Sequence, residues 1–234
     1  MKKMKINIAH LYPEQLNLYG DKGNVLTLER RLKLRGIECE IKEYTTGEKI
    51  DFENTDIILL GGGGEREIST VENALLPQAE SLKNYIENNG SVIAICEGFE
   101  LLGNGHLNII DISVQKAKKR TADDIVIESD IISSTIVGFE NHKNNIDIKG
   151  YTPLGKVKYG IGNSADTGNE GMIYKNLICT NIYGPVLPKN PKLADYIIKC
   201  ALDQKNDAYE LIPIDDELEN MAHNYIVNRC ENQK

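Results

Sequence analysis

A cysteine at the end of an apolar run is the first residue here that could do chemistry. Residues 91–103 read SVIAICEGFELLG. Val92, Ile93, Ala94 and Ile95 suit a strand buried on both faces, with Gly90 bounding it. Cys96 follows, and Glu97 and Gly98 lead directly into a helical patch at residues 99–102. A side chain at the corner where a strand turns abruptly into a helix stands at the sheet's carboxyl edge. The backbone N–H groups beside it then point at a developing oxyanion. Small residues flank such a corner, here Ala94 and Gly98. The plainer alternative is a core cysteine closing a buried strand, because Cys is among the most buried residue types. Taken alone, Cys96 fits that alternative better; its context reverses the balance.

A thiol attacks as its thiolate, and imidazole is the usual activator. The chain has four histidines. His10 closes a predicted first strand and could face a cleft; His106 follows the elbow helix. His142 sits in the polar cluster Phe139, Glu140, Asn141, His142, and His223 reads as a surface residue of a predicted terminal helix. No spacing singles one out. The glycines at 61–64 follow a buried run and allow close approach of backbone N–H groups to a ligand. They lack both the dinucleotide spacing and the G-K-[ST] ending that phosphate binding requires.

The elements that must position these groups follow from the patterning. Strands are predicted at 5–11, 38–44, 56–60 and 91–95, and a helix at 25–34 with Asn24 as its cap. A long helix capped by Ser69 or Thr70 should run to about Asn88. Strands alternating with helices in this way make βαβ units, a mainly parallel sheet and helices on both faces. Ligands gather at the carboxyl ends of such strands, so the glycine run and Cys96 should border one cleft. Beyond Lys118 the pattern shifts to short β-like runs at 124–128, 131–139 and 146–148, a polar loop at 159–171, and one or two strands in 172–182. Helices are predicted at 192–204 and 215–230. The economical reading is one α/β domain with a mixed sheet over residues 1–204 and a C-terminal extension with one helix at 205–234.

Composition narrows the class. The 234 residues carry a formal net charge of −8, with 41% hydrophobic and 26% charged residues. That balance argues against a nucleic-acid or acidic-membrane partner, and the only basic run, KAKKR at 116–120, is short. No stretch suits a signal peptide or a membrane span. Five widely spaced cysteines without C-x-x-C suggest neither a disulfide framework nor a zinc site, and a reducing cytoplasmic setting accounts for them.

Six motifs occur in order: HLYPEQLNLYGDKGN (10–24), LLGGGGERE (59–67), AICEGFELLG (94–103), GFENH (138–142), LGKVKYGIGN…EG (154–171) and YGPVLPKNP (183–191). Together they resemble the class I glutamine amidotransferases of the cobyric acid synthase type, nearest to the glutaminase subunits of lipid II isoglutaminyl synthases. The resemblance implies a flavodoxin-like domain, glutamine as substrate, no cofactor and no metal. It also implies a Mur-ligase-like partner subunit that uses the released ammonia to amidate a peptidoglycan precursor. Carried over by motif, Cys96 is the nucleophile, and Gly62, Gly63 and the N–H of Glu97 border the oxyanion hole. Arg120 is the arginine for the substrate carboxylate, while Glu100, Asn141 and His142 line the substrate site.

The chain departs from that pattern at the chemistry. The family reads C-G-G-Y-Q at the elbow, where this chain has Cys96, Glu97, Gly98, Phe99 and Glu100. The family's catalytic histidine, which precedes Gly-Pro, is Tyr183 here. Two readings follow: a glutaminase subunit with an unusual base, or a catalytically silent homologue that binds or regulates. A cobyric acid synthase-like amidase is the third.

Overall fold

The alternation expected of doubly covered strands is met residue by residue. In the computed structural model, which describes residues 4–205 and 209–233, β1 (Lys5–Leu11), β2 (Glu38–Tyr44), β3 (Ile57–Leu60) and β4 (Ser91–Ile95) are parallel neighbours. Ile6, Ile8, Ile57, Leu59, Ile93 and Ile95 point into one apolar cluster. Leu11, Ile58, Leu60, Val92 and Ala94 point into the other. The first cluster is closed by α1 (Lys22–Leu34) and α5 (Pro191–Lys205), the second by α2 (Glu65–Leu75) and α3 (Ala79–Glu87). Helices therefore cover both faces, as the β-branched runs require.

Beyond β4 the chain forms the short α4 (Glu97–Leu101), then two long strands, β5 (Ser113–Ser129) and β6 (Ser134–Asp147). There follow β7 (Gly155–Tyr159), β8 (Asn169–Glu170), β9 (Met172–Tyr174), β10 (Leu177–Thr180), β11 (Ile182–Tyr183) and, last, α6 (Glu217–Glu231). Two sheets result. The six-stranded one has the order β2-β1-β3-β4-β10-β9, parallel except for β9. The five-stranded one, β11-β6-β5-β7-β8, is antiparallel. The mainly parallel mixed sheet matches the expectation; the separate second sheet does not follow from the patterning. The chain crosses between sheets at Asn181, between β10 and β11, and Tyr183 just beyond it comes within reach of Cys96, the residue that follows β4.

Several boundaries differ from expectation. Asn24 does not cap α1, which starts at Lys22; its side-chain oxygen accepts the N–H of Leu187 at 2.9 Å instead. The long second helix begins at Glu65, not at Ser69 or Thr70, and is interrupted by a 3-10 turn at Leu76–Gln78. Pro77 has no N–H to continue the helical ladder. The three short β-like runs are parts of one hairpin, because pairing along most of its length satisfies backbone groups that a polar, two-sided exposed strand cannot satisfy alone. Residues 172–182 give three strands rather than one or two. Helix α6 packs on the second sheet, with Ile226 and Cys230 against Val126 and Val137 and Arg229 paired with Asp124. That packing buries His223, read from sequence as a surface residue, on Thr135 Oγ1 at 2.7 Å and the Lys189 carbonyl at 2.8 Å. Lys2, Lys3 and residues 206–208 and 234 of the extension lie outside the described residues. Among those described, no helix is long and apolar enough to cross a membrane.

Candidate active site

The elbow is present. Cys96 follows β4 with φ 51° and ψ −112°, a left-handed backbone that costs a non-glycine residue of order 1–3 kcal/mol. Strand β10 and helix α4 hold it there: its N–H donates to the Thr180 carbonyl at 2.8 Å, and its own carbonyl accepts from Glu100 N–H at 3.0 Å. Gly98 permits the close approach of α4 to the glycine run. A Cβ there would lie 2.5 Å from the Leu60 carbonyl oxygen and 2.7 Å from that of Gly61.

The thiol at the corner is shut in. Cys96 is 2% exposed, and its Sγ donates to the Asn181 carbonyl at 3.4 Å. Burial first, and the neighbouring Glu97 carboxylate second, push its pKa well above the ordinary thiol value. Tyr183 lies within interaction range of the thiol and has the opposite, smaller effect. Its hydroxyl donates to Glu97 Oε2 at 3.2 Å, and its ring meets that of Tyr19 edge-on at 4.1 Å. Burial, then the charges of Cys96 and Glu97, raise the phenol's pKa, so it remains protonated at neutral pH.

The two glycine N–H groups expected to border an oxyanion hole both face carboxylates of the chain itself. Gly62 N–H donates to Asp21 Oδ2 at 3.0 Å, and Gly63 N–H donates to Glu97 Oε2 at 3.3 Å. Burial raises the Asp21 carboxyl to about 6, against the opposing effect of the Gly62 N–H. Burial likewise raises Glu97.

Beside these groups opens a cavity of about 510 Å³ that brings together most of the remaining candidates, with Gly63, Glu97, Glu100, Arg120, Asn141 and His142 on its walls. Cys96 is not among its lining residues. The Arg120 Nε donates to Asn141 Oδ1 at 2.6 Å, and Asn141 Nδ2 donates to the Tyr19 hydroxyl at 2.8 Å. Glu100 accepts from Asn144 Nδ2 at 2.7 and 2.9 Å. Burial, then Asn144 in opposition and Glu97 in support, leave its pKa raised.

No histidine hydrogen-bonds to the thiol among the described residues. His142 spans Glu140 Oε2 at 3.2 Å and the Asn144 carbonyl at 3.1 Å; burial opposes its protonation, but Glu140 prevails and raises its pKa. His10 is fully buried in β1 with no partner for either ring nitrogen, and burial lowers its pKa to about 4. It does not face the cavity. His106 lies on the cavity wall 3.1 Å from Glu72 Oε1. Among the described residues, no group of three or more His, Cys, Asp or Glu side chains is arranged to hold a metal ion.

Sequence reasoning passed over four residues that shape this site. Asp21 takes the Gly62 N–H, and Asn144 holds Glu100. Glu140 is fully buried and accepts from the N–H groups of Ile161 and Gly162 at 2.6 and 2.9 Å, besides holding His142. Glu170, also fully buried, accepts from the Thr180 hydroxyl and from Asn181 N–H at 3.0 Å, which steadies the turn whose carbonyl holds the thiol. All but Asn144 fall inside quoted motifs, the only signal that could have found them.

The chain has relatives among known proteins. The CobB/CobQ-like glutamine amidotransferase domain matches residues 7–191. The chain is 36% identical over 240 residues to the GatD subunit of lipid II isoglutaminyl synthase (glutamine-hydrolyzing) from Staphylococcus aureus strain N315, covering 98% of both chains. It is 34% identical over 213 residues to the GatD subunit from Streptococcus pneumoniae strain R6, covering 86% of this chain and 82% of that one. Among solved structures, the glutaminase domain of Trypanosoma brucei CTPS with bound acivicin superposes with a TM-score of 0.53 at 15% identity. It covers 88% of this chain and 96% of that one, a likeness of fold.

Proposed function

This chain belongs to the CobB/CobQ-like glutamine amidotransferase family, and on that premise we propose that it is the amidotransferase-type subunit of a ligase that amidates a lipid II-linked peptide, silent toward glutamine itself. Near-complete coverage of two relatives named as subunits of lipid II isoglutaminyl synthase supports the first half. The partner is then a Mur-ligase-like subunit in peptidoglycan synthesis, and a reducing cytoplasmic setting fits five widely spaced cysteines without a C-x-x-C pair.

The thiol's surroundings support the second half. Hydrolysis of a carboxamide by a cysteine needs a base to take the thiol proton and return it to the leaving ammonia. At the position that resembles the family's histidine, Tyr183 presents a phenol, whose ordinary pKa of about 10 is already too high for that exchange at neutral pH. Here burial and two neighbouring acids raise it further. Among the described residues, no imidazole hydrogen-bonds to Sγ in its place. In the same reading Arg120 holds a ligand carboxylate, with Glu100, Asn141 and His142 around it.

A working glutaminase is the second reading, and the strained backbone at Cys96 favours it. Strain of that kind persists where function or packing maintains it. Release of glutamate from glutamine separates the two, measured on the purified chain alone and with its ligase partner. No release in either state, with the complex formed, is the expected result. Release that disappears in Cys96→Ala overturns the silent reading.

A further inference from the structure

The Glu97 side chain lines the cavity and its charge acts on the neighbouring thiol. One of its oxygens, Oε2, accepts from Gly63 N–H at 3.3 Å and from the Tyr183 hydroxyl at 3.2 Å. Glu97 lines the cavity while Cys96, the residue before it, is 2% exposed and does not. Gly62 leaves room for this arrangement: a Cβ there would lie 2.9 Å from Glu97 Oε2 and 3.4 Å from Cys96 Cβ. A carboxylate oxygen thus occupies a backbone donor on the cavity side of the sulfur, the kind of donor that an oxyanion formed at Cys96 would need.

We propose that Glu97 is a built-in plug, an internal carboxylate seated on the Gly63 donor that closes Cys96 off from any ligand in the cavity. It is a lock separate from the missing base. The plug acts on access to the sulfur and on the donor, whereas Tyr183 acts on proton transfer. The inference rests on the silent reading for its meaning but not for its test.

Two further features of the site agree with it. The Glu97 carboxylate is held by its own backbone N–H, the Tyr183 hydroxyl and the Gly63 N–H, with the Arg120 charge a smaller and more distant influence. The negative charge also sits beside the sulfur and disfavours the thiolate. A side chain that both covers the sulfur and suppresses its ionisation lowers reactivity twice over.

The test is alkylation of the purified chain by iodoacetamide at neutral pH, followed cysteine by cysteine by peptide mass spectrometry. Cys179, fully buried in β10, is the internal control for loosening of the fold. In Glu97→Gly the Cys96 rate should rise by about tenfold or more with Cys179 still protected. Gly62→Ala should raise it in the same direction, because the added methyl displaces the flexible end of Glu97. Glu97→Gln keeps the plug's shape but removes its charge, so its Cys96 rate should rise by clearly less than that of Glu97→Gly, and a rise equal to that of Glu97→Gly would overturn the covering role. An unchanged Cys96 rate in folded Glu97→Gly overturns the proposal, as does a rise shared equally by Cys179. Glutamate release by the unsubstituted chain with its partner would instead overturn the silent reading, which these labelling rates do not address.

Discussion

Removing the Arg31 guanidinium should destabilise the chain by about 3 kcal/mol and loosen its terminal helix. Arg31 lies on α1 with its side chain 3% exposed. Its Nε and Nη2 grip both oxygens of Asp195 on α5, at 2.7 and 2.8 Å. Its Nη1 and Nη2 grip both oxygens of Asp216, just before α6, at 2.5 and 3.0 Å. Arg35 adds a bond to Asp195 at 2.7 Å and one to the Ile212 carbonyl at 2.8 Å. Deleting one member of a buried ion pair costs about 3–5 kcal/mol, because the partner is left uncompensated. Here Asp195 and Asp216 keep 27% and 21% of their side-chain surface, so water compensates them in part and the lower end applies. For a domain of this size, Arg31→Ala should lower Tm by about 6–12 °C. Arg31→Lys, which cannot span both carboxylates, should recover less than half of the loss. Urea denaturation gives the free energy, and hydrogen exchange shows where protection disappears, expected first in residues 217–231. A loss below about 1 kcal/mol, the range of an exposed pair, would refute the reasoning and make this network a solvated surface cluster.

Two further perturbations follow from other buried groups. Folding holds His10 neutral, with its pKa at about 4 against an ordinary 6.5, so its contribution is fully present above about pH 6.5. It is lost as pH falls through 4, to a limit of about 3 kcal/mol. His10→Leu should therefore flatten the decline in urea midpoint between pH 6.5 and 4; equal acid sensitivity in both proteins would exclude His10 as its source. At the elbow, Gly98→Ala places a methyl 2.5 Å from a backbone oxygen that cannot turn aside. A stability loss of about 2–3 kcal/mol is expected in thermal unfolding, and an unchanged Tm would show that α4 is free to shift.

The legible and illegible parts of this chain divide by the range of the interactions that decide them. Continuous apolar runs at 57–60 and 92–95 specify a strand covered on both sides whatever surrounds them, so the parallel core and its helical layers could be read directly. The elbow was equally local: a small residue, a cysteine and a glycine at the end of such a strand leave few other backbones. The Asn24 cap failed because a side chain at a plausible helix start was engaged by Leu187, far along the chain. The long hairpin of β5 and β6 was unreadable for a related reason. Its polar residues carry no period of burial, and its backbone pairing comes from strands brought together only by the fold.

The candidate site shows the same division. Sequence alone determined which residues could meet: the glycine run and Cys96 share the carboxyl edge of adjacent strands, and the motif order brought Arg120, Asn141, His142 and Tyr183 to them. What those residues do to one another was settled only in three dimensions. Burial separates the Cys96 thiol from the cavity, raises the Tyr183 phenol, and seats Glu97 on the Gly63 N–H. Desolvation and hydrogen-bond geometry depend on every neighbour at once, so no spacing along the chain encodes them. A glutamate beside a cysteine is in sequence only a possible charge; folded, it is a carboxylate seated on the Gly63 N–H and the Tyr183 hydroxyl.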